Sequence, residues 1–160
     1  MRDGMLSDHD ELWRLLRSLD DPQGLEFPTG YDSRRERARF EQLAQRLDAA
    51  FGGACEVDRQ VQDASLHGRI EVPAALTATG SRLVVSISNF GGMAVLAVDN
   101  PGVWTDEEAA ELLHPDDGGR IGDALASLGY VLVPEEPLWQ RYNGAWPRVQ
   151  SWWDRFFDYL

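Results

Sequence analysis

Residues 82–98 read RLVVSISNFGGMAVLAV, and this segment has the pattern of a β-hairpin. Alternating apolar side chains over 82–89 predict a strand with one face toward a core and with Ser86 and Ser88 facing outward. The apolar members of this alternation are Leu83, Val85 and Ile87. Gly91-Gly92 offers the positive φ angles of a tight two-residue turn, so Met93–Val98 is predicted to return as the antiparallel partner.

The preceding segment, residues 63–72, alternates in the same way and predicts a half-buried strand. One face of this strand is polar and carries Asp63, Ser65, His67, Arg69 and Glu71. The opposite face is apolar and carries Ala64, Leu66, Ile70 and Val72. Pro73 ends the strand or confines it to a sheet edge. A weaker strand over 55–62 is predicted before it.

Helical periodicity flanks these strands in the sequence. Two helices are predicted before them, over 8–19 with Ser7 as the N-cap, and over 33–51 ending at Gly52-Gly53. Three more are predicted after the hairpin, over 106–113, over 119–128, and from Pro147 to Leu160. A brief strand over 130–133 lies between the last two. Together these elements predict a single α+β domain over 1–160, in which helices pack on one face of a small antiparallel sheet of three to five strands. Two helices are N-terminal to that sheet and one is C-terminal.

The charge of the chain excludes two classes of partner. It has 27 acidic and 15 basic residues, a net charge of −12, and every base is an arginine. Binding to nucleic acid or to an anionic membrane depends on clustered cations, so neither partner is expected.

Cys55 is the only cysteine, and the sequence has no apolar leader or membrane-spanning run, which predicts a cytoplasmic protein. No spacing typical of a metal or cofactor site is present, so none is predicted.

Most of the negative charge lies in one tract. Residues 99–136 hold ten acidic residues and one arginine. This tract is either a solvated face or a docking surface that steers a basic protein toward the chain. The candidate acidic contacts are Asp106, Glu107, Glu111, Asp116 and Asp117, and the candidate aromatic contacts in the loop that follows are Trp139, Tyr142 and Trp146.

The predicted C-terminal helix has the strongest amphipathic pattern in the chain. Its apolar arc contains Val149, Trp152, Trp153, Phe156, Phe157 and Leu160. This arc is either the core-facing stripe of a docked helix or, in part, an exposed anchor for self-association.

The polar face of the 63–72 strand offers a different class of function. Asp63 and His67, with partners from the 82–98 hairpin, would form an enzymatic site if they converged beside a concave pocket. The alternative is a solvated or partner-binding sheet face, which is common in antiparallel sheets. No standard catalytic motif is present, and no catalytic residue is assigned.

Four tracts together resemble a group of small bacterial proteins of uncharacterised function. They are QDASLHG (62–68), SNFG (88–91), GYVLVP (129–134) and SWWDRFFDYL (151–160). The shared features are a strand-borne Asp-x-x-x-His-Gly, a Ser-Asn-Phe-Gly turn and a Trp-Trp-x-Arg-Phe-Phe-Asp ending. The resemblance covers roughly residues 60–160, and it implies a fold family more than a reaction. If the tracts mark a site, its polar members are Asp63, His67, Asn89 and Arg155.

The chain is also similar in size and acidity to the immunity proteins that neutralise bacterial toxins. The sequence therefore favours a non-enzymatic protein-binding domain that docks a basic partner, as an immunity protein or inhibitor does. The alternative function is an enzyme with a strand-borne Asp/His site on the sheet face.

Overall fold

The computed structural model describes residues 5, 6, 8–59, 61 and 64–158, and its centre is a five-stranded sheet. The strands lie side by side in chain order: β1 Glu56–Asp58, β2 Leu66–Val72, β3 Leu83–Ser88, β4 Met93–Val98 and β5 Val131–Leu132. β1 to β4 are antiparallel to their neighbours, whereas β5 pairs with β4 in parallel. The α+β class and the mainly antiparallel sheet are confirmed. The parallel edge pair was not predicted, and it arises because a helical crossover returns the chain in the direction of β4.

The hairpin of β3 and β4 forms as its sequence predicts. Gly91 and Gly92 have φ angles of 64° and 63°, and the Met93 amide donates to the Phe90 carbonyl across the turn. Two consecutive positive φ angles are the geometry of a type I′ turn, which suits glycine because it has no Cβ.

Within the described ranges, five α-helices accompany the sheet: α1 His9–Leu19, α2 Ser33–Phe51, α3 Asp106–Leu112, α4 Pro115–Ser127 and α5 Trp152–Phe157. The predicted bounds of α2 are confirmed, with Asp32 as its N-cap and Gly52 as its left-handed C-cap. Asp8, not Ser7, caps α1, and Ser7 itself lies outside the described residues. α4 begins at Pro115, four residues earlier than predicted, because the His114 side chain accepts the Asp116 amide and caps the helix there.

Helices cover both faces of the sheet, so the prediction of helices on one face is wrong. Every residue of β3 is buried, including the outward-predicted Ser86 and Ser88. One cluster of buried side chains joins α2 and α4 to the face of Val85, and a second joins α1 and α5 to the opposite face, which Val95 presents. Serines and alanines interrupt the apolar stripe of the second face, so the sequence did not indicate that this face is covered.

α5 begins at Trp152, five residues after the predicted start at Pro147. The Tyr142 amide donates to the Gln150 carbonyl and the Trp152 amide donates to the Gln140 carbonyl, so the segment before α5 is extended and paired. Ser151 then caps the helix by accepting the Asp154 amide. The aromatic side chains of α5 face the core: Trp152, Trp153, Phe156 and Phe157 are all buried. Leu160 lies outside the described residues.

A bulge in β2 sets the position of His67. Leu66 pairs with Ser88 and Gly68 pairs with Ile87, so His67 is an additional residue on β2 with no counterpart on β3. Such bulges re-aim the side chain of the extra residue. A Cβ on Gly68 would lie 2.8 Å from both the Asp58 carbonyl oxygen and Phe40 Cζ, so β1 and α2 approach the bulge too closely for any larger residue.

Candidate functional site

The bulge opens onto a cleft of about 900 Å³. Its walls come from the loop before α2, from the first half of α2, and from the segments that lead into β2 and out of β3. The aromatic and apolar lining residues are Phe27, Tyr31, Phe40, Val61, Ala64 and Leu66, and the polar and charged ones are Ser33, Arg37, Glu41, Arg59, His67 and Asn89.

Three polar side chains meet at the wall of this cleft. The Tyr31 hydroxyl, His67 Nδ1 and Asn89 Oδ1 form a triangle in which each pair of atoms is 3.1 Å apart. The Asn89 amide nitrogen donates to the carbonyls of Glu26 and Ala64, each at 3.1 Å. Those two bonds fix the amide orientation, so the oxygen of Asn89 faces Tyr31 and His67.

This orientation determines the tautomer of His67. An amide oxygen only accepts hydrogen bonds and has two lone pairs, so it can take one proton from Tyr31 and one from Nδ1 of His67. Nδ1 therefore carries the ring proton, because an unprotonated Nδ1 would place two lone pairs against each other at 3.1 Å. Nε2 is left with the lone pair, and among the described residues none hydrogen-bonds to it.

The burial of the triangle keeps its groups neutral. Desolvation lowers the pKa of His67 below its ordinary value, against the opposing effect of the Asn89 hydrogen bond. Desolvation likewise raises the pKa of Tyr31 to about 12. At neutral pH the cleft thus presents an uncharged imidazole whose Nε2 can accept a hydrogen bond from a ligand or receive a proton.

The charged residues of the cleft differ in how they are paired. Arg59 binds Glu41 through two contacts, Nε to Oε2 at 2.6 Å and Nη2 to Oε1 at 2.9 Å. Arg37 is exposed, and within the described part of the chain it makes no hydrogen bond or ion pair. Among the described residues of the cleft, Arg37 is therefore an unpaired positive charge, although the whole chain is strongly acidic.

Arg155, a predicted site residue, does not line the cleft but holds one of its walls. The guanidinium is fully buried, and its Nε donates to the Asp20 carboxylate at 2.7 Å. The remaining nitrogens donate to the carbonyls of Asp21, Gly24 and Leu25. Arg155 thus fixes the loop that continues to Phe27 and Tyr31, and its role is to position the wall.

The structure unites only part of the predicted polar site. His67 and Asn89 are in contact, as the prediction of a shared site requires. Arg69 lies farther along β2, opposite Asp58 and Ser86, and does not line the cleft. Asp63 lies outside the described residues. Tyr31 was not predicted as a site residue, because it stands 36 residues before His67 in a loop with no local pattern.

The predicted acidic contacts divide into exposed and internal groups. Glu107, Glu111 and Asp116 are exposed. Asp117 is buried and accepts the Ala78 amide, so it is a structural acceptor rather than a surface charge. Asp106 is half-buried and accepts the Glu136 amide, and desolvation raises its pKa.

The three predicted aromatic contacts also do not form one surface. Tyr142 is buried, and its hydroxyl donates to Asp20. Trp146 is half-buried and donates from Nε1 to the Asp21 carbonyl. Trp139 is exposed and stacks on Trp153, with ring centroids 4.9 Å apart.

Exposed apolar residues are concentrated beside the exposed acids. Across the described ranges, five large apolar side chains are exposed, and four of them lie in residues 103–139: Val103, Trp104, Leu112 and Trp139. Sequence patterns missed Val103, Trp104 and Leu112 because single apolar residues in loops and at helix ends have no periodicity.

In the described part of the chain, no three His, Cys, Asp or Glu side chains are grouped closely enough to hold a metal ion. None of the described helices is both long and apolar enough to cross a membrane.

Comparison of the chain with protein-family models, with curated proteins and with solved structures finds no match.

Proposed function

We propose that this protein binds a small molecule in the cleft, with Nε2 of His67 as the hydrogen-bond acceptor. The observation that carries the proposal is the 3.1 Å contact between His67 Nδ1 and Asn89 Oδ1, which favours the tautomer that leaves the Nε2 lone pair free. An imidazole held in one tautomer by a second side chain is the usual arrangement where a histidine serves a ligand or a reaction. The hypothesis that Asp63 adds an enzymatic function to His67 stays a prediction.

The lining of the cleft supports this proposal. Ligand sites in proteins are concave and mainly apolar, with a few polar groups that orient the ligand. Here six of the twelve lining residues are aromatic or aliphatic, and the polar triangle lies at one place in the wall. The triangle is assembled from the loop before α2, from β2 and from the turn after β3, so a complete fold is needed to build it.

Titration with phenol, which has an apolar ring and one hydroxyl donor, tests the proposal by NMR of the histidine ring nitrogens. We expect His67 in the free protein to carry its proton on Nδ1, and phenol to shift the Nε2 signal. His9 and His114 lie outside the cleft and act as internal controls. Asn89→Ala should weaken phenol binding about three- to tenfold, the effect of one neutral hydrogen bond, because the tautomer is released.

Tyr31→Phe is the matched variant for the tautomer. It removes the hydroxyl but leaves Asn89 in place, so we expect Nδ1 to keep its proton. A free protein with the proton on Nε2, or a phenol titration that leaves the His67 signals unmoved, would refute the proposal. This second variant also keeps the test decisive if Asn89→Ala fails to fold.

We also propose, as a second candidate function, that the exposed part of the acidic tract docks a basic partner protein, in the manner expected of an immunity protein or inhibitor. The observation that favours it is the position of Val103, Trp104, Leu112 and Trp139 in the same region as the exposed acids Glu107, Glu108 and Glu111. Exposed tryptophans surrounded by charge are typical of binding hot spots.

Capture from a lysate of the native host, with two charge reversals, tests this second proposal. Glu107→Lys reverses a charge inside the proposed surface, and Glu56→Lys makes the same change on exposed β1. We expect a basic protein to bind wild type and Glu56→Lys equally, to bind Glu107→Lys about tenfold more weakly because like charges then meet, and to be released by high salt. Equal weakening by both variants, or capture of no basic protein, would contradict it.

A further inference from the structure

From the charge and the walls of the cleft, we infer that its ligand is a small aromatic anion that also carries an O–H or N–H donor. The inference rests on the proposed binding function and names the chemical class of the ligand. Three separate features of the cleft indicate the negative charge, the aromatic ring and the hydrogen-bond donor of this ligand.

The unpaired guanidinium of Arg37 favours a ligand with a negative charge. It lies on α2 at the cleft wall, and its neighbour Glu36 already binds Arg39 at 2.7 Å. The other cleft arginine, Arg59, is neutralised by Glu41. A chain of net charge −12 repels anions at long range, so a local cation that is left unpaired favours the binding of an anion beside it. Within the described residues of the cleft, Arg37 is that cation.

The stacked rings of Phe27 and Tyr31 favour a ligand with a flat apolar ring. Their rings stack with centroids 4.8 Å apart and planes 30° apart, and Phe27 remains 47% exposed. Phe27 is also the one exposed large apolar side chain of the described residues that lies outside the 103–139 region. A ring exposed at a cleft, with its other face already stacked, offers a surface on which a further ring can pack.

The acceptor Nε2 of His67 favours a ligand with a hydrogen-bond donor. Its Nε2 has a lone pair and stays unprotonated at neutral pH, because burial lowers the pKa of the ring. A ligand without an O–H or N–H group would leave this acceptor without a partner when water is displaced, which costs binding free energy.

Three probes with one hydroxyphenyl body test the inference: 4-hydroxyphenylacetate, its neutral amide and the cationic tyramine. We expect the anion to bind about fivefold more tightly than the amide, as for one solvent-exposed ion pair, and the amide to bind more tightly than tyramine. Phenylacetate, which lacks the donor, should bind about three- to tenfold more weakly than 4-hydroxyphenylacetate. Affinities are measured from the His67 Nε2 shift.

Arg37→Gln should remove the preference for the anion over the amide, because the anion loses more affinity than the amide does. Arg34→Gln is the matched control, because Arg34 is an exposed arginine of the same helix that does not line the cleft. Equal binding of anion, amide and cation would overturn the ligand class and leave the binding function standing. Absence of any shift at His67 with all of these probes would overturn both.

Discussion

Arg155→Met is expected to lower the free energy of unfolding by about 3–5 kcal/mol, as when one partner of a buried ion pair is removed. The Asp20 carboxylate is 7% exposed, and in the variant it would remain buried without its cation. The carbonyls of Gly24 and Leu25 would lose their donors at the same time. Urea denaturation measures the change, and Arg148→Met provides an exposed arginine as the control, with an expected effect within about 0.5 kcal/mol.

Two further variants separate charge from hydrogen-bonding geometry at Arg155. Arg155→Lys keeps the charge but replaces the planar guanidinium with an ammonium that cannot reach Asp20 and the three carbonyls together, so we expect a substantial part of the loss. Asp20→Asn combined with Arg155→Met removes both charges and should be less unstable than Arg155→Met alone. If Arg155→Met costs less than about 1 kcal/mol, the buried arginine does not hold the loop as described.

Trp153→Ala is expected to destabilise the protein by about 3–5 kcal/mol, the usual cost of emptying a buried tryptophan site. Trp153 is 2% exposed and stacks between Trp139 and Phe157, with ring centroids 4.9 Å away on each side. Trp139→Ala is the matched control from the same stack, and its cost should be much smaller because Trp139 is 43% exposed. Urea denaturation of both variants compares them, and equal losses would contradict the described burial.

Because Trp153 is buried, Trp139 is the residue of this stack at which self-association is tested. A side chain buried within one copy of the chain cannot contact a second copy unless α5 leaves the core. Trp139 remains available on the surface, so sedimentation of wild type and Trp139→Ala addresses self-association without unfolding the chain. A wild-type monomer at high concentration would reject that alternative.

Local patterns predicted those parts of the fold that local interactions specify. The glycine pair at 91–92 requires left-handed backbone wherever the hairpin lies, and α2 has its caps, Asp32 and Gly52, beside its own apolar stripe. Its bounds were therefore predicted to the residue. The start of α5 was not, because the carbonyls of Gln140 and Gln150 form bonds across a loop that no periodicity marks.

In the candidate site, too, the sequence indicated some residues and missed those that depend on distant contacts. The resemblance carried by the tracts at 62–68 and 88–91 named His67 and Asn89 as members of one site, and the two side chains are in contact. Tyr31 and the positioning role of Arg155 depend on tertiary contacts across 36 and 135 residues, which one sequence does not specify. The second helical layer was missed for a related reason, since Ser65, Ser86 and Ser88 are buried polar residues that resemble a solvated face in the sequence.

The bond between Asp20 and Arg155 has a consequence for the order of events during synthesis. Residues 20–25 leave the ribosome early, whereas the guanidinium that organises them follows 135 residues later. At roughly 5–20 residues per second, this interval lasts about 7–27 s. All five strands precede residue 133, so a truncated chain that ends before residue 155 would contain every strand of the sheet. It would lack the guanidinium that anchors residues 20–25, and with it the support of the wall bearing Phe27 and Tyr31.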